Sequence, residues 1–69
     1  MTLAIKVALA IIKYGSKALN LIKGAVGALW NSFIAAKNAG YMALAKWLFN
    51  HASILSAIYK ILKHYGLVS

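Results

Sequence analysis

The chain has 69 residues and a formal charge of +8, carried by eight lysines, with no arginine, aspartate, glutamate, cysteine or proline, and 64% of it is hydrophobic. Without a side-chain carboxylate there is no carboxylate general acid or base, no acidic ligand for Ca²⁺ or Mg²⁺ and no side-chain salt bridge. Without cysteine there is no disulfide, thiolate zinc site or thiol nucleophile, and the compartment cannot be read from cysteine usage.

In chain order the pattern predicts helix throughout. Helix formers dominate, and the glycines and asparagines fall at intervals that read as punctuation. Thr2 is placed to cap a first helix that runs to Tyr14, with Gly15 as its left-handed terminator. Ser16 is placed to cap a second from Lys17 to Lys23, closed by Gly24. A third extends from about Ala25 to Lys37 and ends at Asn38-Ala39-Gly40. The remainder, Tyr41 to Tyr65, is one long helix or two joined near Asn50-His51, and Gly66 stops it.

At about 100° per residue, Lys6, Lys13 and Lys17 fall on one side if the first two helices are projected as one. The rest of Leu3 to Ile12 is Leu, Ile, Val or Ala. Such a helix is buried on most sides or lies against lipid. Further on, Lys46, Asn50, Ser53, Ser56, Lys60, Lys63 and His64 share an arc of about 140°, opposite Ile54, Leu55, Ile58, Tyr59, Ile61, Leu62 and Tyr65. Met42 and Phe49 intrude on that arc in a continuous helix, which favours a break near Asn50.

A membrane-spanning helix needs about 20 mostly apolar residues. The longest lysine-free stretches, Gly24 to Ala36 and Trp47 to Tyr59, have 13 each, so a standard span is not expected. Lys6 interrupts the apolar stretch Leu3 to Ile12 and a basic segment before it is missing, so the chain reads as mature from Met1, without a secretion leader. Residues 1–69 read as a single helical membrane-active domain.

The stretch Ile11-Ile12-Lys13-Tyr14-Gly15-Ser16-Lys17-Ala18 resembles the first helix junction of leaderless bacteriocins of the aureocin and lacticin type. Asn38-Ala39-Gly40 followed by Trp47 is similar to that family's turn before its last helix, and Ile54, Ile58, Ile61 and Leu62 echo its final amphipathic helix. The resemblance implies a compact saposin-like bundle of four to five short helices, secreted by a bacterium and lethal to related Gram-positive cells through the membrane. Circular bacteriocins share size, charge and bundle, and their defining bond, here between Ser69 and Met1, leaves no mark in a residue list.

The expected partner is the anionic phospholipid membrane of Gram-positive bacteria, with self-association on the membrane left open. The residues expected to bind it are Lys6, Lys13, Lys17, Lys23, Lys37, Lys46, Lys60 and Lys63, with Trp30 and Trp47 at the headgroup boundary. Each also has a plainer reading, the lysines as a solvated face and the tryptophans as core. Phe33 and Phe49 are expected in the core, His51 at a helix junction and His64 on the surface. Two histidines make a poor metal site, and Ser53 or Ser56 with a histidine lacks a carboxylate to orient it, so neither a cofactor nor catalysis is expected. Gly24 and Gly27 read as a hinge or close helix packing. Two further function classes stay open. One is a basic nucleic-acid binder, disfavoured by the absence of arginine and the scatter of the lysines. The other is a holin-like toxin acting inside its own cell.

Overall fold

Ala, Leu, Ile and Lys favour helix locally and no proline interrupts them, so the breaks fall where glycine or a polar residue permits one. The computed structural model describes residues 2–69. Within them run α1 (Thr2–Tyr14), α2 (Ser16–Val26), a 3-10 turn (Gly27–Leu29), α3 (Trp30–Asn38), α4 (Tyr41–Asn50) and α5 (Ala52–His64). The architecture is all-α. The readings that concern Met1, as a retained first residue and as one end of a closed backbone, lie outside the described residues.

The end of α1 falls at Tyr14, and Gly15 follows with φ +56°. That turn separates the axes of α1 and α2, so the common lysine face drawn by projecting both as one helix does not exist. Ser16 begins α2 rather than capping it, for Gly15 occupies the cap position and no side chain bonds there. Thr2 likewise lies within α1.

Gly24 does not close α2, which continues to Val26 and ends at Gly27, where φ is +62°. Helical glycine costs about 1 kcal/mol relative to alanine. Burial of Val26 against the core gives back a comparable amount, so the helix carries on through Gly24. Consequently the third helix starts at Trp30 and not near Ala25. Close packing explains neither glycine, because a methyl group built at either position meets nothing within 4 Å.

The break near Asn50 is present, with His51 at φ −125°, ψ 63° between α4 and α5. Past His64 the chain closes a Schellman motif: the Leu67 N–H donates to the Leu62 carbonyl at 2.9 Å and the Gly66 N–H to that of Lys63 at 3.0 Å. The turn folds Leu67 back into the core.

Two helix pairs build the molecule. α1 packs most extensively against α4, α2 against α5, and α3 leans on α4. Alanines at 4, 8, 10, 18 and 45 are buried and let the axes approach closely, while Val7, Ile11, Ile22, Phe33, Leu44, Leu48, Ile58 and Leu62 fill the space between. The radius of gyration is 10.2 Å, against about 11 Å for a domain of this length. No polar or charged side chain is buried among the described residues.

Candidate functional site

No cavity is found among the described residues, so any site is a feature of the surface. No described helix is long and apolar enough to cross a membrane. The surface is organised by what each helix leaves outward once its inner face is filled.

The lysines are spread over every helix: Lys6 and Lys13 on α1, Lys17 and Lys23 on α2, Lys37 on α3, Lys46 on α4, Lys60 and Lys63 on α5. Lys37 is half-buried and the others are exposed. With no side-chain carboxylate available, aromatic faces and helix C-termini serve as their internal partners. Lys13 stands 5.4 Å from the Tyr14 ring centre, Lys23 5.7 Å from Trp30 and Lys63 5.8 Å from Tyr59; each such contact at an exposed site is worth about 0.5–1 kcal/mol. These three and Lys37 also sit in the last turn of their helices, where a cation complements the helix dipole by about 0.3–1 kcal/mol. Lys6, Lys17, Lys46 and Lys60 have neither support.

Trp30 and Trp47 are half-buried and belong to one chain of rings. Trp30 stacks on the fully buried Phe33 at 5.3 Å, Phe33 meets the edge of Trp47 at 5.4 Å, and Trp47 stacks on His51 at 4.0 Å. The Trp47 indole Nε1–H donates to Ser32 Oγ at 2.8 Å, tying α4 to α3. His51 Nδ1 lies 2.6 Å from the Trp47 carbonyl oxygen, closing the α4–α5 junction. Sequence reasoning identified the tryptophans one by one and missed the link through His51, because a ring stack across a helix break follows no helical spacing.

All seven polar residues of the C-terminal arc, Lys46, Asn50, Ser53, Ser56, Lys60, Lys63 and His64, are exposed. Ile54, Tyr59 and Ile61 are half-buried and Leu55, Ile58 and Leu62 are buried, as the pattern predicts. Tyr65 departs from it at 56% exposure, just past the last helical residue. The Tyr59 hydroxyl donates to the Ser69 carbonyl at 3.0 Å.

Phe33 is core, but Phe49 is 54% exposed and the expectation of a buried Phe49 is wrong. The inner face of α4 is taken by Leu44, Ala45 and Leu48. Phe49 and Met42 lie about a quarter-turn away from it, and the break at His51 does not bury them.

The same is true of α1. Its buried face is Ala4, Val7, Ala8, Ala10 and Ile11, which leaves Leu3, Leu9 and Ile12 exposed on a helix whose pattern implied burial on most sides or contact with lipid. Of the eight large hydrophobic side chains that are exposed, six stand on α1 and α4 (Leu3, Leu9, Ile12, Tyr41, Met42, Phe49); the others are Leu29 and Tyr65.

The exposed positions of α2, α3 and α5 are occupied only by lysine, serine, asparagine, histidine, alanine and glycine. The large exposed hydrophobic side chains are therefore concentrated on α1 and α4, whereas the exposed positions within α2, α3 and α5 are polar, cationic or small. No protein-family model matches the chain, and no curated protein and no solved structure is significantly similar to it.

Proposed function

We propose that this chain is a secreted antimicrobial protein of the bacteriocin type, a saposin-like bundle that binds the anionic membranes of Gram-positive bacteria and permeabilises them. The observation that carries this reading is a folded bundle with large hydrophobic side chains in water and no negative side chain to offset +8. Both features weaken a protein that meets only water, and both favour contact with anionic lipid.

Each lysine near such a surface contributes about 1 kcal/mol, so three or four engaged together concentrate the protein by about 3–4 kcal/mol without inserting it. Insertion draws on apolar area. At 13 residues the longest helices, α1 and α5, are shorter than a span, about 20 Å against about 30 Å of hydrocarbon. They lie in the interface and not across it. The bundle then loosens, helices tilting apart as acyl chains replace core contacts, and the bilayer is disordered beneath them.

Release of a dye from phosphatidylglycerol vesicles tests the reading. Leakage at micromolar protein, weakening as salt rises, is the expected result; no leakage even at low salt overturns it. Tight salt-dependent binding to duplex DNA without leakage transfers the chain to the nucleic-acid class. The junction Ile11 to Ala18 supports the leaderless type over the circular one, and an intact mass one water below that of the open chain reverses that choice.

A further inference from the structure

The membrane reading leaves open which side of the molecule meets the lipid. We infer that docking occurs through one face, the outer side of the α1–α4 pair, with Leu9, Ile12, Met42 and Phe49 entering the boundary between headgroups and acyl chains. Lys6, Lys13 and Lys46, exposed on the same two helices, take the lipid phosphates. The inference rests on that reading and deepens it.

Three observations lead to this face. The first is exposure. Leu9 is 47%, Ile12 43%, Met42 42% and Phe49 54% exposed. On α5, a helix of the same length as α1, the exposed residues are Ala52, Ser53, Ser56, Lys60, Lys63 and His64. One sequence thus contains helices fitted to water and helices that are not.

The second is adjacency. α1 packs more extensively against α4 than against any other helix, so the two helices that carry these exposed side chains are neighbours. Scattered apolar residues are ordinary on protein surfaces, whereas a neighbouring set marks an interaction site.

The third is charge, which selects the occupant. A second copy seated on this face would bring its own Lys6, Lys13 and Lys46 against the same three, with no side-chain carboxylate in either chain to separate them. An anionic bilayer accepts both the apolar side chains and the lysines. The arrangement is that of an interfacial element, with apolar side chains below and lysines at the water boundary. In this pose the α2–α5 pair, with Lys17, Lys23, Lys60 and Lys63, faces away from the lipid.

The chain has no cysteine, so single labels can be placed anywhere. Ile12→Cys and Phe49→Cys report on the proposed face, Asn20→Cys and Ser56→Cys on the other helix pair, each carrying a polarity-sensitive fluorophore. Variants whose far-ultraviolet spectra match the parent are mixed with sucrose-loaded vesicles of phosphatidylglycerol and phosphatidylcholine.

The expected result is a blue shift, with quenching by bromolipids, at 12 and 49 and water-like emission at 20 and 56. Equal shifts at all four, or larger ones at 20 and 56, in protein that sediments with the vesicles overturn this face and leave the membrane reading intact. If the unlabelled chain does not sediment with the vesicles, the membrane reading fails and this inference with it. A blue shift at 12 and 49 without vesicles, together with a dimeric mass, assigns the face to a second copy and also overturns it. Phe49→Ser supplies a label-free measure, with about tenfold weaker vesicle binding expected; unchanged binding overturns the assignment.

Discussion

Two glycines three residues apart have opposite roles. Gly24 is helical and a methyl group there touches nothing, whereas Gly27 holds φ +62° at the end of α2. Gly24→Ala is expected to stabilise the protein by about 0.5–1 kcal/mol, raising the thermal midpoint by about 4 °C. Gly27→Ala is expected to cost about 1–2 kcal/mol, the penalty for an L side chain in the left-handed region. Thermal unfolding followed by circular dichroism decides both signs. The phenylalanines form a second contrast, since Phe33 is fully buried between two tryptophans and Phe49 is 54% exposed. Phe33→Ala is expected to cost about 3–5 kcal/mol, enough to leave a domain of this size largely unfolded. Phe49→Ala stays within about 0.5 kcal/mol of the parent. Trp47→Ala falls between them at about 2–3 kcal/mol, because it removes half-buried ring contacts and the hydrogen bond to Ser32. Urea titrations of the three variants give the order directly.

At the level of helices, much was legible in the residues. Gly15, Gly40 and Gly66 mark the turns where they were expected, and the pattern from Lys46 to His64 separates exposed from buried positions with Tyr65 the exception. These signals are local: a glycine tolerates positive φ, and a polar stripe follows the helical period. What failed was settled by partners. Gly24 carries the same local signal as Gly27, and only the burial of Val26 beyond it distinguishes them. The periodicity placed Met42 and Phe49 on the polar arc, where they are exposed, but the outward Leu9 and Ile12 were illegible for a related reason. A helix apolar all round does not state which side will find a neighbour, and here α1 and α4 fill each other's inner faces and leave the rest uncovered. The lysines sort at this level as well. Lys13, Lys23, Lys37 and Lys63 sit at helix ends and three of these lie over rings, so their replacement by Gln is expected to cost tenths of a kcal/mol each in stability. Lys17 stands in the first turn of α2, beside a positive helix end, and Lys17→Glu is expected to stabilise the protein by about 0.5 kcal/mol. A fall in its thermal midpoint would contradict that.

Across the whole molecule, distance governs how charge is felt. The bundle measures 25 × 24 × 21 Å, whereas screening at physiological salt acts over about 8 Å. In the proposed pose, lysines on the side away from the lipid are therefore nearly silent there. Lys6→Gln with Lys13→Gln is expected to weaken vesicle binding about 30-fold at physiological salt, two lysines at about 1 kcal/mol each. The loss from Lys60→Gln with Lys63→Gln is expected to stay below about threefold. At low salt the two pairs converge as screening relaxes, and vesicle sedimentation across a salt series measures the difference.

The interior contains no polar side chain among the described residues, and this has a consequence for how uniquely the fold is fixed. The buried contacts between helices are oil on oil, and the side-chain hydrogen bond from Trp47 to Ser32 lies at the surface, so no hydrogen bond inside ranks a neighbouring helix above a lipid tail. The protein is consequently selective about its backbone and indifferent about its neighbours. In dodecylphosphocholine micelles the near-ultraviolet signal of the tryptophans should collapse while the far-ultraviolet helical signal persists. The secondary structure is inherited from the sequence; the tertiary structure is lent by water.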